Sequence, residues 1–405
     1  MPASKPALSV KVLLLANKVP YPPFDGSSLA IRSMVEAYRL NEVAVRLLVL
    51  NTNKHHRDPA TVRRNTPPGV EIDLLPVRTR PTALGALLNL ANPLPYHVSR
   101  FYKPILKRAL RSLLKAETFD YIQLEGLAMA PYAAYIRRYS QAPVLLRAHN
   151  IEHHIWERHQ AHEKNFLRRL YLQLENTRLR RYEKKQLQAM DGLLFIAAPD
   201  RDWFRAQGGK QPAAVFPCGT DASAPKQAPS APSYDITYLA SLDWLPNQQG
   251  MQWFMDQVWP RLQTLRPGTT MALAGQRMPE HLRRWQSSLF HVLGAVKDGP
   301  GFIQEGLLTV VPLLAGSGMR VKLIENLAIG QPMVVTPQAA EGLPLQNGEH
   351  LLIEQEPEAF ARATVQLLKQ PAEASVLGQT GQSWVLRHYQ HAQIGKRLLD
   401  FLQKL

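Results

Sequence analysis

The feature that most constrains the fold is a regular alternation of short apolar segments with stretches of helical periodicity. The apolar segments have the length of strands and recur along nearly the whole chain. Strands are predicted at Val10–Ala16, Val43–Leu50, Glu71–Pro76, Tyr121–Leu124, Val144–Arg147, Gly192–Ala197, Ile236–Ser241, Thr270–Ala274, Leu307–Pro312, Met333–Thr336 and His350–Ile353. Helical patterns such as Leu29–Leu40, Tyr132–Tyr139 and Gln252–Leu265 lie between them. Strands separated by helices predict an α/β fold with parallel, doubly wound sheets.

The length of the chain predicts two domains, because 405 residues exceed what one hydrophobic core holds. Gly219 to Ser233 is rich in Pro, Ala and Ser and lacks periodicity, which is typical of a linker. We expect a first domain over residues 1–218, a linker over 219–235 and a second domain over 236–383. Two such domains would leave a cleft at the carboxyl ends of their strands, where doubly wound sheets bind ligands.

Cysteine content and hydropathy indicate the compartment. Cys218 is the single cysteine, which excludes an internal disulfide and fits a reducing environment. No segment approaches the ~20 consecutive apolar residues that a membrane-spanning helix needs, and Met1 to Val10 lack the layout of a signal peptide. A cytoplasmic location is therefore predicted.

The net charge of +16 is unevenly distributed along the chain. Residues 1–220 contain 33 Lys and Arg against 17 Asp and Glu, whereas residues 221–405 contain 15 of each. This asymmetry predicts an acidic partner for the first half: nucleic acid, an anionic bilayer or a phosphorylated substrate. Nucleic acid is disfavoured, because no recognised nucleic-acid module or aromatic-interleaved basic motif is present.

A glycine-rich run, Gly316 to Lys322, follows one predicted strand and precedes a predicted helix that ends at Gly330. In doubly wound folds the exposed N–H groups and the positive helix end at such a position face a phosphate. Arg320 and Lys322 would add two cations, and Glu325 could accept hydrogen bonds from sugar hydroxyls. The spacing matches neither a phosphate-binding P-loop nor a dinucleotide fingerprint, so a structural turn with solvated charges is the alternative.

The run GSGMRVKLIENLAIGQPMVVTPQAAEGL (316–343) resembles the donor-site segment of retaining GT-B glycosyltransferases of family 4. Pro20–Gly26 resembles the family's glycine loop, and Phe216–Asp221 resembles its hinge. Leu242–Asn247 resembles the bacterial sugar-transferase branch of exopolysaccharide assembly. The resemblance implies a GT-B fold, two Rossmann-like domains facing a cleft, with the helix Trp384–Leu405 crossing back to the first domain.

The resemblance also implies the reaction. It implies transfer of a sugar, with retention, from a nucleotide-diphosphate sugar to a glycan or lipid-linked acceptor in bacterial polysaccharide or cell-surface glycan synthesis, without a metal or another cofactor. His149 would lie beside the reacting sugar, Arg320 and Lys322 would hold the diphosphate, and Glu325 would bind the ribose. The residues expected at the donor are Gly26, Gly316, Ser317, Gly318, Arg320, Lys322, Glu325, Glu341 and Gly342.

Three positions depart from the family pattern. Ser317 stands where the family has the first of two carboxylates, which puts the contact to the transferred sugar in question. Leu239–Trp244 lacks the family's Arg and Lys, so Arg320 and Lys322 would bear the diphosphate charge alone. Cys218 replaces an Asn of the hinge.

The histidines His149, His153, His159 and His162, with Glu152, suggest a metal site at first sight. Their spacing does not match a known metal motif and no second cluster completes a ligand set, so no metal is predicted. We expect the histidines after His149 to be surface or packing residues. Glu125, which follows a strand, is a hypothetical base on the acceptor side.

Two basic helical segments could contact an anionic membrane as a peripheral protein on its inner face. Arg100–Lys115 combines an apolar stripe with Lys103, Lys107, Arg108 and Arg111, which fits an interfacial helix. A helix packed on its own sheet would show the same stripe. Phe166–Lys185 is the second segment, and a charged exposed face is its alternative.

Two rival functions are compatible with the sequence. A nucleotide-sugar epimerase shares the GT-B architecture and would bind the same donor without an acceptor. A non-enzymatic basic binding protein with a degenerate donor site would explain the charge and Ser317.

Overall fold

The computed structural model describes residues 10–163, 165–220, 232–242, 244–275, 277–315 and 321–405. The chain divides into two compact units. The first unit comprises the residues up to Gly219 together with His391–Leu405, and the second comprises Thr220–Gln390. Most of the predicted linker lies outside the described residues.

The first unit is built on a seven-stranded sheet. Its strands are β1 Lys11–Ala16, β2 Ala44–Thr52, β3 Val70–Val77, β4 Tyr121–Glu125, β5 Val144–Ala148, β6 Gly192–Phe195 and β7 Ala213–Val215. They run parallel in the order β3-β2-β1-β4-β5-β6-β7. The six strands predicted here are confirmed, and β7 was not predicted.

Helices cover both faces of this sheet. In chain order they are α1 Gly26–Arg39, α2 Pro59–Asn65, α3 Ala83–Leu88, α4 Tyr96–Ser99, α5 Pro104–Ala116, α6 Ala133–Ile136, α7 Glu152–His162, α8 Phe166–Ala189 and α9 Ala198–Ala206, with 3₁₀ turns at Asn89–Ala91 and Leu127–Tyr132. Alternate residues of β1 enter different cores: Leu13 and Leu15 pack with α5, whereas Val12 and Leu14 pack with α1. Burial on both faces explains why the strands are almost continuously apolar.

The second unit repeats the plan with six parallel strands. They are β8 Tyr234–Leu239, β9 Met271–Ala274, β10 Phe290–Gly294, β11 Gly306–Val311, β12 Met333–Val335 and β13 Leu352–Ile353, in the order β10-β9-β8-β11-β12-β13. Its helices are α10 Leu245–Trp253, α11 Trp259–Leu265, α12 Gly299–Gln304, α13 Val321–Ala328, α14 Pro337–Ala340, α15 Pro357–Lys369 and α16 Pro371–Tyr389. A π turn, Phe254–Val258, joins α10 to α11, and Glu280–Trp285 forms a 3₁₀ helix. The predicted two-domain, parallel-sheet α/β fold is confirmed, and β10 was not predicted.

The chain returns to the first unit at its carboxyl end, as predicted. The predicted single helix Trp384–Leu405 is interrupted at Gln390, and α17 (His391–Leu402) begins there. Ile394 and Leu398 of α17 are buried against α1. Gly395 permits this close packing, because a Cβ there would lie 2.1 Å from the Ala37 carbonyl oxygen.

The interfacial-helix interpretation of Arg100–Lys115 is wrong. Leu106, Leu110, Leu113 and Leu114 of α5 are all buried in the core beneath the sheet. The apolar stripe of α5 therefore packs inside the first unit and is not available to contact a membrane. Among the described residues, no helix has the length and apolarity to cross a lipid bilayer.

Candidate active site

Each sheet has one point where the strand order reverses direction. In the first unit it lies between β1 and β4, and in the second between β8 and β11. The loops that leave two such strands diverge to opposite sides and open a crevice at the carboxyl edge. At the first reversal, Gly26 begins the helix that follows β1, and Glu125 is the last residue of β4. At the second reversal, the glycine-rich run follows β11 in the sequence.

A buried carboxylate lies at the first reversal and contacts His149. Glu125, the last residue of β4, is fully buried, and its Oε2 lies 2.6 Å from Nε2 of His149, which directly follows β5. Gln123 Nε2 donates to Oε1 of Glu125 at 2.5 Å, and Arg147 Nη1 lies 3.5 Å from Oε2. Burial alone would raise the pKa of Glu125, but Arg147 and the hydrogen bond from His149 hold it below its usual value.

The structure places Glu125 away from the open surface that an acceptor-side base would need. Its carboxylate has no exposed surface, and both of its oxygens have partners within the fold. It instead fixes the ring of His149, which retains a small exposed fraction of 10%. Sequence reasoning did not identify Gln123 and Arg147 as parts of the site. The sequence did contain a sign of both residues, because each is a polar residue within an otherwise apolar strand, YIQLE for Gln123 and VLLRA for Arg147.

The same group ties the strands to α1. Arg147 is completely buried, and its Nη1 donates to the Ala30 carbonyl at 2.6 Å. The Tyr38 hydroxyl donates to Gln123 Oε1 at 2.7 Å. Because α1 contributes both partners, the position of His149 is coupled to that helix.

The loop that was predicted at Pro20–Gly26 lies between β1 and α1, which begins at Gly26. Asp25 caps the helix by accepting from the Ser28 amide at 2.8 Å, and Lys18 Nζ lies 2.5 Å from the same carboxylate. Burial would raise the pKa of Asp25, but Lys18 and the Ser28 hydrogen bonds lower it. Gly26 is exposed, and a Cβ built there would meet no atom within 4 Å. The packing described around Gly26 therefore does not require a glycine.

The remaining histidines near β5 do not resemble a ligand set. His153 is buried, and its Nδ1 lies 2.6 Å from Glu183. Burial and the neighbouring Glu183 carboxylate raise the pKa of Glu152 to about 7. Burial and Arg100 lower the pKa of His97 to about 4. Within the part of the chain that the structure describes, no three His, Cys, Asp or Glu residues are placed to hold a metal ion. The side chains of His159 and His162 lie outside that part.

The second reversal contains a buried cation. Gly316, Ser317, Gly318 and Arg320 lie outside the described residues, whereas Lys322 is in the first turn of α13. The Nζ atom of Lys322 is buried and has no hydrogen-bond partner in the described part of the chain. Burial lowers its pKa to about 8, against the opposing effect of the Glu325 carboxylate. A buried ammonium without hydrogen bonds is costly, which suits a site for an anion.

Glu341 and Gly342 follow α14, which begins after β12. Both residues are exposed, and Gly342 has a φ of +83°, which an L side chain rarely adopts. Because β11 and β12 pair in parallel, their following loops leave from the same edge of the sheet. The structure thus places the loop of Glu341 and Gly342 at the edge from which the run before Lys322 departs. His149 and Gly26 belong to the first unit.

Solved structures with the same fold span nearly the whole chain at low identity. HepE from Anabaena in complex with UDP-glucose is 13% identical, with 98% of this chain and 100% of that chain covered and a TM-score of 0.65. Sucrose-phosphate synthase from Thermosynechococcus elongatus is 17% identical, with 97% and 98% covered and a TM-score of 0.67. TarM is 8% identical, with 97% and 98% covered and a TM-score of 0.66.

Family models identify the chain more directly. A model described as Glycosyl transferase 4-like domain matches residues 25–219, and one described as Glycosyl transferases group 1 matches residues 233–370. Comparison with curated protein sequences gave no significant match. The two models together span most of the chain and coincide with its two parallel-sheet units. On this basis the chain belongs to the glycosyltransferases of the GT-B fold.

Proposed function

We propose that this glycosyltransferase moves a hexosyl or related sugar, with retention, from a nucleotide-diphosphate sugar to a glycan or lipid-linked acceptor in bacterial polysaccharide or cell-surface glycan synthesis. The observation that carries the proposal is the buried Nζ of Lys322 without a hydrogen-bond partner in the described residues. A diphosphate would supply the missing acceptor oxygens. The complex of HepE with UDP-glucose supports a uridine nucleotide as the first donor to test.

In the proposed reaction the bond between the anomeric carbon and the diphosphate oxygen breaks, and the acceptor hydroxyl oxygen attacks from the same face. The hydroxyl proton passes to the departing phosphate oxygen, so no covalent nucleophile of the protein is needed. Lys322 and Arg320 stabilise the charge that develops on the diphosphate. Hydrogen bonds to charged groups contribute about 1.5–3 kcal/mol each, which is sufficient for a large rate effect. We propose that these cations replace a metal ion.

The first unit supplies the groups beside the sugar in this proposal. His149, held by Glu125 at 2.6 Å, would contact the transferred sugar. Gly26 would allow the donor to approach the amino end of α1, where the positive end of the helix dipole favours an anion. Glu325 would bind the ribose, while Glu341 and Gly342 would contact the nucleotide.

A thermal-shift screen of nucleotide sugars and nucleotide diphosphates tests the donor site, because a ligand that binds only the folded state raises Tm. We expect UDP to raise the Tm of the wild-type protein, and Lys322→Met to abolish the shift. Lys369→Met, at an exposed lysine of α15, is the matched control and should respond as the wild type does. An unchanged UDP shift in Lys322→Met would contradict the assignment.

Product analysis distinguishes the activities. Release of UDP that depends on an acceptor, with an anomeric configuration equal to that of the donor by NMR, would support retaining transfer. Conversion of the nucleotide sugar to its epimer without an acceptor would favour the epimerase instead. Binding of UDP without turnover on any acceptor or sugar would favour a binding protein.

A further inference from the structure

The first unit exposes a group of large apolar side chains on two segments, which we call the leucine surface. Phe166 and Leu167, in the first turn of α8, are 75% and 73% exposed. The complete set consists of Leu84, Leu87, Leu88 and Leu90 around α3, and Phe166, Leu167, Leu170 and Leu174 on α8. Single exposed apolar residues are common on soluble proteins, but eight on two neighbouring segments form a patch that marks an interaction site.

Polar contacts hold the two segments against each other. Arg178 of α8 donates through Nη2 to the carbonyl oxygens of Asn89 at 3.2 Å and Leu94 at 3.3 Å. Glu175 accepts from the backbone amide of Tyr96 and pairs with Arg178 at 2.7 Å. These contacts lie within one turn of Leu174 and beside Leu90. The stretch that directly follows α3, Asn89 to Tyr96, is thus fixed on α8 by its backbone groups, while the leucines of α3 and Leu90 are left uncovered.

The two segments that carry the leucine surface are basic, and the acid that precedes α8, Glu163, accepts a hydrogen bond from the Asn165 amide at 2.8 Å. Residues 74–116 contain eight Lys and Arg and no Asp or Glu. Residues 166–174 contain two arginines and again no acid. Arg78, Arg80, Arg168 and Arg169 are exposed, whereas the first acid that follows on α8, Glu175, is buried and paired. A second copy of this surface would be repelled, and an anionic partner would be attracted.

We propose that the leucine surface inserts into the interfacial region of an anionic lipid bilayer, with the surrounding arginines at the headgroups. Apolar side chains rimmed by cations are what binding at this depth requires, since the side chains enter the acyl boundary while the cations neutralise anionic lipids. The docking site is therefore on α3 and α8, and the apolar stripe of α5 is not part of it. This inference goes beyond the proposed function. It rests on that function only for the assumption that the acceptor is borne by a membrane.

Vesicle flotation of the full-length protein tests the proposal. The vesicles are phosphatidylcholine alone or phosphatidylcholine mixed with phosphatidylglycerol. We expect flotation with the anionic vesicles only, weakened at 1 M salt, where the Debye length is about 3 Å. The variants Phe166→Gln/Leu167→Gln/Leu170→Gln and Leu84→Gln/Leu87→Gln/Leu88→Gln should each reduce the floated fraction at least ~10-fold. Leu245→Gln/Val376→Gln, at exposed apolar positions of the second unit, should float as the wild type does.

Several outcomes would overturn the docking site. Wild-type flotation by both triple variants would place the contact elsewhere. A wild-type dimer that the variants convert to a monomer would assign the leucine surface to a second copy. The UDP thermal shift separates this proposal from the donor site: both triple variants should retain the wild-type shift. If the wild type floats but shows no shift with any nucleotide, the donor proposal fails while the docking site stands.

Discussion

At the residue scale, Glu125 and Lys322 are two buried charges that differ in what balances them. Arg147, Gln123 and His149 surround the carboxylate of Glu125. The ammonium of Lys322 has no hydrogen-bond partner within the described residues. We infer that the first charge is part of the folded framework and that the second is compensated by a ligand.

The charge of Lys322 should give donor binding a dependence on pH. Its pKa of about 8 means that the free protein loses the ammonium proton as pH rises above that value. The dissociation constant of UDP should then increase by up to about tenfold per pH unit. Lys322→Arg should remove the dependence, because a guanidinium stays charged. Calorimetric titrations on either side of the pKa measure this, and an equal slope in both proteins would contradict it.

The same residue should affect stability without ligand. The pKa of Lys322 falls from 10.5 for an unperturbed lysine to about 8 in the folded protein, so the unfolded chain binds more protons between these values. The free energy of unfolding should therefore rise with pH across that window. Lys322→Met should raise this free energy at neutral pH by about 1–3 kcal/mol, because it removes a buried unsatisfied group. Urea titrations at two pH values compare the variant with the wild type.

Glu125→Gln should separate positioning of His149 from donor binding. The amide is nearly isosteric but uncharged, so it holds the ring less firmly and leaves Arg147 uncompensated. We expect kcat to fall by about 10²-fold with a small change in the KM for donor, and stability to fall by about 3–5 kcal/mol. Glu125→Asp should recover part of kcat. A rise in donor KM with kcat unchanged would show that Glu125 serves the nucleotide instead.

At the element scale, α1 is packed closely on one side and open at its amino end. Gly395 of α17 lies against the Ala37 carbonyl, whereas nothing described lies within 4 Å of a Cβ at Gly26. Glycine therefore serves a different purpose at each of these two positions. One permits helix packing, and the other leaves space beside the proposed donor.

Alanine substitutions at the two positions should have opposite effects. Gly26→Ala should keep Tm or raise it slightly, since the first position of a helix tolerates alanine, yet lower kcat/KM by about 10-fold or more through crowding of the donor. Gly395→Ala should destabilise the first unit by roughly 1–3 kcal/mol through overpacking against α1. Thermal unfolding and steady-state kinetics on both variants test this pair. Full activity of Gly26→Ala would remove that residue from the site.

At the scale of the whole molecule, the net positive charge comes entirely from the residues before 221. Exposed arginines surround the leucine surface. In the second half positive and negative side chains are equal in number. We therefore expect individual side chains, rather than the net charge, to meet the proposed donor anion.

Turnover should resist chelators. If Lys322 and Arg320 neutralise the diphosphate, EDTA added in excess should leave the initial rate within about twofold of the untreated rate, and Mg²⁺ should not be required. The double variant Lys322→Ala/Arg320→Ala should lose at least ~10³-fold in kcat/KM. Loss of activity on chelation, restored by a divalent cation, would contradict this mechanism.

The sequence by itself determined the order of the elements, because strands buried on both faces are read as continuous apolar runs. It missed β7 and β10 for physical reasons. β7 has only three residues, all half-buried, and β10 has one fully buried residue, so neither shows a core pattern. Short strands at the sheet edge are specified by pairing with a neighbour rather than by their own residues.

Only the tertiary structure decided which charges are buried and which apolar residues are exposed. The apolar periodicity of α5 is compatible with contact to a bilayer or to a protein core. In the structure these residues pack in the core beneath the sheet. The contact between Glu125 and His149 joins residues 24 positions apart, because parallel pairing aligns the ends of β4 and β5. The break at Gln390 was equally hidden, since α16 and α17 are both helical and differ only in the core each one packs against.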